Sequence, residues 1–124
     1  MTYINRTNNT DKSRSMNSIE VEQLFQSGAS KRENGLYEES IVDFLSALRI
    51  NPNHLAANYQ MVYSLSSLNR LKEALFYANR IVELFPYWDT YEKRAWIKES
   101  LGDLSGAEAD RNEGRKIPKD DCWC

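Results

Sequence analysis

The sequence has few of the residues that cross-link or anchor small folds. Its 124 residues include two cysteines, Cys122 and Cys124, at the C-terminal end. Because one residue separates them, they cannot link distant parts of a fold, and two thiols do not complete a tetrahedral zinc site. We interpret the segment Cys122-Trp123-Cys124 as part of a mobile tail. The alternative is a soft-metal or redox-labile thiol pair.

The sequence also lacks the residue combinations of an active site. His54 is the single histidine, and it follows Pro52 in a linker. Neither a glycine-rich phosphate loop nor a paired metal-ligand motif accompanies it, and a general base needs a positioned nucleophile or orienting group. We therefore predict that His54 is a solvent-facing turn residue. We also predict a protein that is not an enzyme and has no cofactor or metal.

No strong charge and no long apolar run marks the chain. The formal net charge is −2, from 16 basic and 18 acidic residues, so no general positive field attracts nucleic acid or anionic lipid. No apolar run approaches the roughly 18 residues of a membrane span, and the first fifteen residues lack the apolar core of a signal peptide. These observations predict a cytoplasmic protein without a nucleic-acid or membrane partner.

Apolar residues at helical spacing, separated by single helix breakers, run through most of the chain. Asn34-Gly35, Pro52, Pro86 and Gly102 are the main breakers, and no segment shows the strict alternation of a strand. The pattern predicts an all-α fold with about six helices. The predicted helices cover residues 19–33, 37–50, 54–68, 71–84, 88–101 and 105–116.

The ends of the chain are polar and differ from this pattern. Residues 1–17 are rich in Asn, Thr, Ser and charge, so they bury too little apolar surface to offset the entropy of ordering. We predict a disordered N-terminal tail at 1–17, a folded domain at 18–118, and a C-terminal tail at 119–124. Asn17 or Ser18 is the predicted start of the first helix, since either residue can cap a helix N-terminus.

The helices recur with a fixed period. Pro52 and Pro86 lie 34 positions apart, and the same shift relates Tyr37 to Leu71. This is the length of a tetratricopeptide repeat, and over residues 20–118 the chain resembles that family. The first repeat carries, in this order, the large apolar, small, glycine, aromatic, aromatic, small and proline residues that the family prefers, at Leu24, Gly28, Gly35, Tyr37, Phe44, Ala47 and Pro52.

The resemblance implies a right-handed superhelical stack of antiparallel helix pairs, with repeats at about 21–54, 55–87 and 88–118. The third repeat departs from the pattern, because Arg111 and Gly114 replace the usual aromatic residue and alanine. Its last helix is small and polar. We interpret this helix as a cap that tolerates water, and a truncated or decayed repeat is the alternative.

The resemblance also implies where a ligand binds, because the first helix of each pair lines the concave surface of the family. Three stripes of side chains would face this groove, and a polar residue follows the first member of each stripe. The stripes are Phe25, Ala29 and Arg32; Tyr59, Tyr63 and Ser66; and Glu92, Trp96 and Glu99; the polar residues are Gln26, Gln60 and Lys93.

The predicted function is a protein-protein interaction module, an adaptor or scaffold, that binds a peptide or helix in this aromatic groove. The predicted binding residues are Phe25, Gln26, Arg32, Tyr59, Gln60, Tyr63, Lys93 and Trp96. One alternative is that the aromatic residues pack on one another, and another is a structural protein that self-associates as a homo-oligomer.

Some members of the family clamp the carboxylate ends of chaperone tails with a set of Lys, Asn and Arg residues. The matching positions here are Phe25, Ala29, Gln60, Asp89 and Lys93. Since Lys93 alone is basic, we do not expect that activity.

Overall fold

A computed structural model describes the backbone of residues 2–119 and the side chains of residues 17–119. Within these residues the chain forms α-helices and no strands, which confirms the predicted all-α class. The helices are α1 (Thr2–Glu33), α2 (Tyr37–Ile50), α3 (Leu55–Ser67), α4 (Leu71–Leu84), α5 (Trp88–Ser100) and α6 (Leu104–Arg115).

The first helix begins earlier than the sequence indicates. α1 starts at Thr2 and not near Asn17, so the helix extends into the predicted tail. Extending a helix from a segment that is already packed costs much less than nucleating one, and polar residues without an apolar stripe can therefore be helical there. The predicted C-terminal tail falls almost entirely on residues 120–124, which lie outside the described residues.

Glycine or asparagine ends the first helix of each pair, and two of these residues, Gly35 and Gly102, are among the predicted breakers. Gly35, Asn69 and Gly102 have φ values of 80°, 58° and 88°, a left-handed conformation that favours these residues. At each turn an amide bonds back five residues, for example Leu36 N to Lys31 O at 2.8 Å and Asp103 N to Lys98 O at 2.8 Å. These bonds satisfy carbonyls that the helix end leaves open.

The chain divides into two compact units, residues 1–54 and 55–124. In the first unit α1 packs on α2 around Phe44, which is fully buried. A Cβ atom at Gly28 would lie 2.7 Å from the Phe44 ring, so the glycine makes this close approach possible. Val21, Ile41 and Ala47 complete the core of this unit.

In the second unit α4 packs on both α3 and α5, and α5 packs on α6. The largest fully buried apolar side chains are Met61, Leu65, Ile81 and Ile97. Ala74, Ala78 and Ala95 are also fully buried, and small residues at these positions let the helix axes come close. The core therefore follows the apolar stripe that the helical spacing of the sequence indicates.

The polar helix α6 packs through small residues and a buried carboxylate. Ala107 and Gly114 are buried, and Gly114 lies against the backbone of Trp88. Asp110 is 3% exposed and accepts hydrogen bonds from Arg94 Nε at 2.9 Å and Arg94 Nη2 at 2.7 Å. Lys98 Nζ lies 3.1 Å from the same carboxylate. A bidentate ion pair therefore joins α6 to α5.

Candidate functional site

One face of α3 presents aromatic side chains without any charge. The sequence of the helix from Leu55 to Ser67 contains no charged residue. Tyr59 and Tyr63 are one helical turn apart and therefore lie on the same face. Tyr59 is half-buried, whereas Tyr63 is 41% exposed. A large ring that keeps this much exposed surface is available for contact.

A polar network joins this face to α5. The Tyr59 hydroxyl donates to Asp89 Oδ2 at 2.6 Å, and Lys93 Nζ lies 3.3 Å from Asp89 Oδ1. The Lys93 ammonium also lies 5.9 Å from the centre of the Tyr63 ring, a cation–π distance. Asp89 therefore holds both a tyrosine of α3 and the lysine of its own helix.

The network changes the proton affinities of its members. Burial and the hydrogen bond to Asp89 raise the pKa of the Tyr59 hydroxyl far above its ordinary value, so Tyr59 stays a neutral donor. Burial lowers the pKa of Lys93, but the negative charge of Asp89 and the contact with Tyr63 outweigh burial and raise it. Lys93 is thus a permanent cation whose charge Asp89 already balances.

An open pocket lies between α3 and α5 beside this network. Its volume is about 410 Å³. Trp96, on α5, is 47% exposed and forms one wall, and Tyr63 forms the other. The pocket is lined by Tyr63, Ser66, Ser67, Glu92, Lys93 and Trp96.

The charged residues at the edge of the pocket are paired within the chain. Arg111 of α6 lies 3.4 Å from Glu92 and 3.0 Å from Glu99. Because the two glutamates share one arginine, α6 compensates about half of their combined negative charge. The predicted stripe of Glu92, Trp96 and Glu99 therefore presents one exposed ring between two ion-paired carboxylates.

The structure brings together some of the predicted binding residues. Tyr63, Lys93 and Trp96 line one pocket, and Tyr59 is bonded to Asp89 next to it. Gln60 is half-buried, does not line the pocket, and its Oε1 has no hydrogen-bond partner among the described residues. Sequence reasoning noted Asp89 for its place in the clamp pattern. The four-residue spacing from Asp89 to Lys93 could have indicated their ion pair, whereas the contact with Tyr59 is visible in the structure alone.

The predicted residues of the first repeat lie in the first unit. Phe25 is half-buried, with ring centres 5.9 Å from Phe44 and 5.3 Å from His54. His54, predicted to be a solvent-facing turn residue, is half-buried, because its imidazole packs on the Phe25 ring. Gln26 is exposed and donates to Glu22 at 2.8 Å, and Arg32 is half-buried.

Two other kinds of site are absent from the part of the chain that the structure describes. Residues 17–119 contain no group of three or more His, Cys, Asp or Glu side chains placed to hold a metal ion. No helix in the described region combines the length and apolar character needed to cross a membrane.

No protein-family model and no curated protein matches the sequence. Solved structures do match. The first TPR domain of Spaghetti (RPAP3), bound to the HSP90 peptide SRMEEVD, superposes with a TM-score of 0.75 at 19% identity, covering 85% of this chain and 84% of that one. The second TPR domain of the same protein, with the same peptide, gives 0.76 at 15% identity, covering 86% and 99%.

A third similar structure is a mutant of MamA, with a TM-score of 0.73 at 16% identity, covering 79% of this chain and 72% of that one. At these identities the likeness concerns the fold. Together with the helix pairs described above, it confirms the tetratricopeptide-like architecture that the 34-residue period predicts.

Proposed function

We propose that this chain, which has the tetratricopeptide-repeat fold, is a non-enzymatic protein-interaction module that binds a peptide or helix of a partner protein in an aromatic groove. The observation that supports this proposal best is the pair of exposed rings at the α3–α5 pocket. Tyr63 and Trp96 keep 41% and 47% of their surface exposed on opposite walls of an open pocket.

Such rings suit a binding surface for two physical reasons. Each offers a large apolar area that gains free energy on burial, at about 25 cal/mol per Å². Each also loses little conformational entropy when it is held in place, because tyrosine and tryptophan rotate about only two side-chain bonds. A pocket walled by two such groups is a good candidate for the centre of an interface.

The two RPAP3 structures hold an acidic peptide that ends in aspartate. This chain shares their fold but differs at the positions of the carboxylate clamp. Asp89 stands where the clamp would need a basic residue. Its carboxylate also forms an ion pair with Lys93, the remaining basic residue at the clamp positions. We therefore propose a peptide or protein partner of a different class, in a cytoplasmic setting, with no role for nucleic acid or membrane.

The test uses the intact chain as bait, in its native form and with Tyr63→Ala and Trp96→Ala combined. A partner recovered by the native chain should be lost with the double variant, while helicity measured by circular dichroism stays nearly unchanged. The synthetic peptide SRMEEVD should bind neither chain in isothermal titration calorimetry.

Phe76→Ala is the matched control, because Phe76 is an exposed ring on α4 that does not line the pocket and is 58% exposed. This variant should retain the partner. Recovery of the same proteins by the double variant, or tight binding of SRMEEVD to the native chain, would show that the proposed groove is wrong.

A further inference from the structure

The chemistry of the α3–α5 pocket narrows the class of partner, and the inference that follows rests on the proposed function. The wall that α3 contributes carries no formal charge, since Tyr63, Ser66 and Ser67 are its lining residues. The Ser66 hydroxyl donates to Val62 O at 2.6 Å, so its proton is already used within the helix. This wall therefore has no charged group that could form an ion pair with a ligand.

The wall that α5 contributes has charged residues whose partners lie within the chain. Lys93 forms an ion pair with Asp89 at 3.3 Å, and Glu92 forms one with Arg111 at 3.4 Å. A charged ligand group would have to compete with these intramolecular partners and also lose its own hydration. Ion pairs at such partly exposed positions contribute little, and both side chains already have partners, so the pocket offers no strong ionic anchor.

The size of the pocket limits the ligand further. Sites for small ligands usually measure about 300–1,000 Å³, and this pocket of about 410 Å³ is near the lower limit. It has room for one large side chain together with part of its backbone. The exposed faces of Tyr63 and Trp96 would then cover that side chain from both sides.

We infer that the pocket between Tyr63 and Trp96 receives a single large uncharged side chain, such as Leu, Met, Phe or Trp, from a partner peptide that is not held by ionic contacts. Specificity then comes from the shape of the side chain and from hydrogen bonds to the peptide backbone. Binding should depend little on salt, because screening weakens interactions between exposed charges and has little effect on apolar contact.

The experiment pans a display library of random short peptides with free C-termini against the native chain, Trp96→Ala and Phe76→Ala. Peptides enriched by the native chain and by Phe76→Ala should share one large uncharged residue at a common position. These peptides should not be enriched by Trp96→Ala. Their affinity for the native chain should change by less than about twofold between 0.05 M and 0.5 M NaCl.

Two results would overturn the inference in distinguishable ways. Peptides that depend on Trp96 but share a charged residue or an acidic C-terminus would contradict the uncharged anchor and leave the interaction function intact. If no enriched peptide depends on Trp96, or if Phe76→Ala abolishes enrichment equally, both the inference and the proposed groove fail. Replacement of the Leu, Met, Phe or Trp of an enriched peptide by Ala should weaken binding at least tenfold.

Discussion

Asp110 is a carboxylate that is almost completely buried on the packed face of α6. Burial alone would raise the pKa of Asp110, but hydrogen bonds from Arg94 and Lys98 outweigh it and hold the pKa below the ordinary value. The unfolded chain therefore binds a proton at this group more readily than the folded chain. As a result, the ion pair stabilises the fold at neutral pH and loses its effect in acid.

We predict that Asp110→Asn lowers the free energy of unfolding by about 2 kcal/mol at neutral pH. Loss of one partner of a fully buried pair costs about 3–5 kcal/mol, and the effect here is smaller because Arg94 and Lys98 remain 20% and 21% exposed. The difference between native and variant chains should be constant above about pH 5 and shrink below about pH 4, near the pKa of an unfolded aspartate.

Urea denaturation followed by circular dichroism at several pH values measures this difference. Glu113→Gln is the control, because Glu113 is an exposed carboxylate of the same helix, paired with Lys116 at its surface. It should change stability by less than about 1 kcal/mol. A stability difference for Asp110→Asn that is unchanged in acid would contradict the assigned role of the ion pair.

The helix ends illustrate how one residue sets the length of an element. Gly35, Asn69 and Gly102 occupy equivalent turns with positive φ, yet the second repeat has asparagine where the others have glycine. A left-handed conformation costs an ordinary side chain about 1–2 kcal/mol, whereas glycine adopts it freely and asparagine tolerates it. These turns therefore favour the residues that the sequence contains.

We predict that Gly35→Ala destabilises the chain by about 1 kcal/mol. Open space surrounds this position, so added contacts do not complicate the result. Asn69→Gly provides the opposite substitution at the equivalent turn and should change stability by less than about 0.5 kcal/mol. Chemical denaturation measures both variants, and equal destabilisation by the two changes would disprove the explanation.

α1 and α6 show where element-level prediction succeeded and where it was incomplete. The 34-residue period and the breakers located the helices of the folded region closely, because apolar spacing and turn residues act locally. The apolar pattern did not predict that α1 begins at Thr2, because a helix can extend through polar residues that have no apolar stripe. It also could not show that Asp110 is buried, because Arg94 and Lys98 reach it from another helix.

At the scale of the whole molecule, the third repeat replaces an aromatic pair with an ion pair. In the first repeat Phe25 and Phe44 contact through their rings, whereas Glu92 and Arg111 occupy the equivalent positions and are 3.4 Å apart. A further copy packing there would have to remove these charges from water. This arrangement agrees with the interpretation of α6 as a polar cap and disfavours the self-association alternative.

We predict that the chain is a monomer in solution. Light scattering coupled to size-exclusion chromatography, at two concentrations that differ about tenfold, should give the mass of one chain in both runs. A mass that doubles at the higher concentration would favour self-association. Leu104→Ser and Phe76→Ser would then identify the contact, since these apolar side chains are 66% and 58% exposed.

The sequence by itself determined the helix class, the repeat length and the aromatic character of α3 and α5. These properties depend on local spacing, and the family resemblance implied that Tyr59, Tyr63 and Trp96 face one groove. The family resemblance also implied that Lys93 is the lone base at the clamp positions. It could not predict whether that base would be available to a ligand.

The tertiary structure decided which side chains remain available. Asp89 holds Tyr59 and Lys93, Arg111 holds Glu92 and Glu99, and the rings of Tyr63 and Trp96 keep their exposed faces. His54, predicted to face solvent, packs on Phe25. Apart from the pair Asp89–Lys93, these contacts join residues that do not share a helix, and their energies depend on distances of a few ångströms that sequence spacing does not specify.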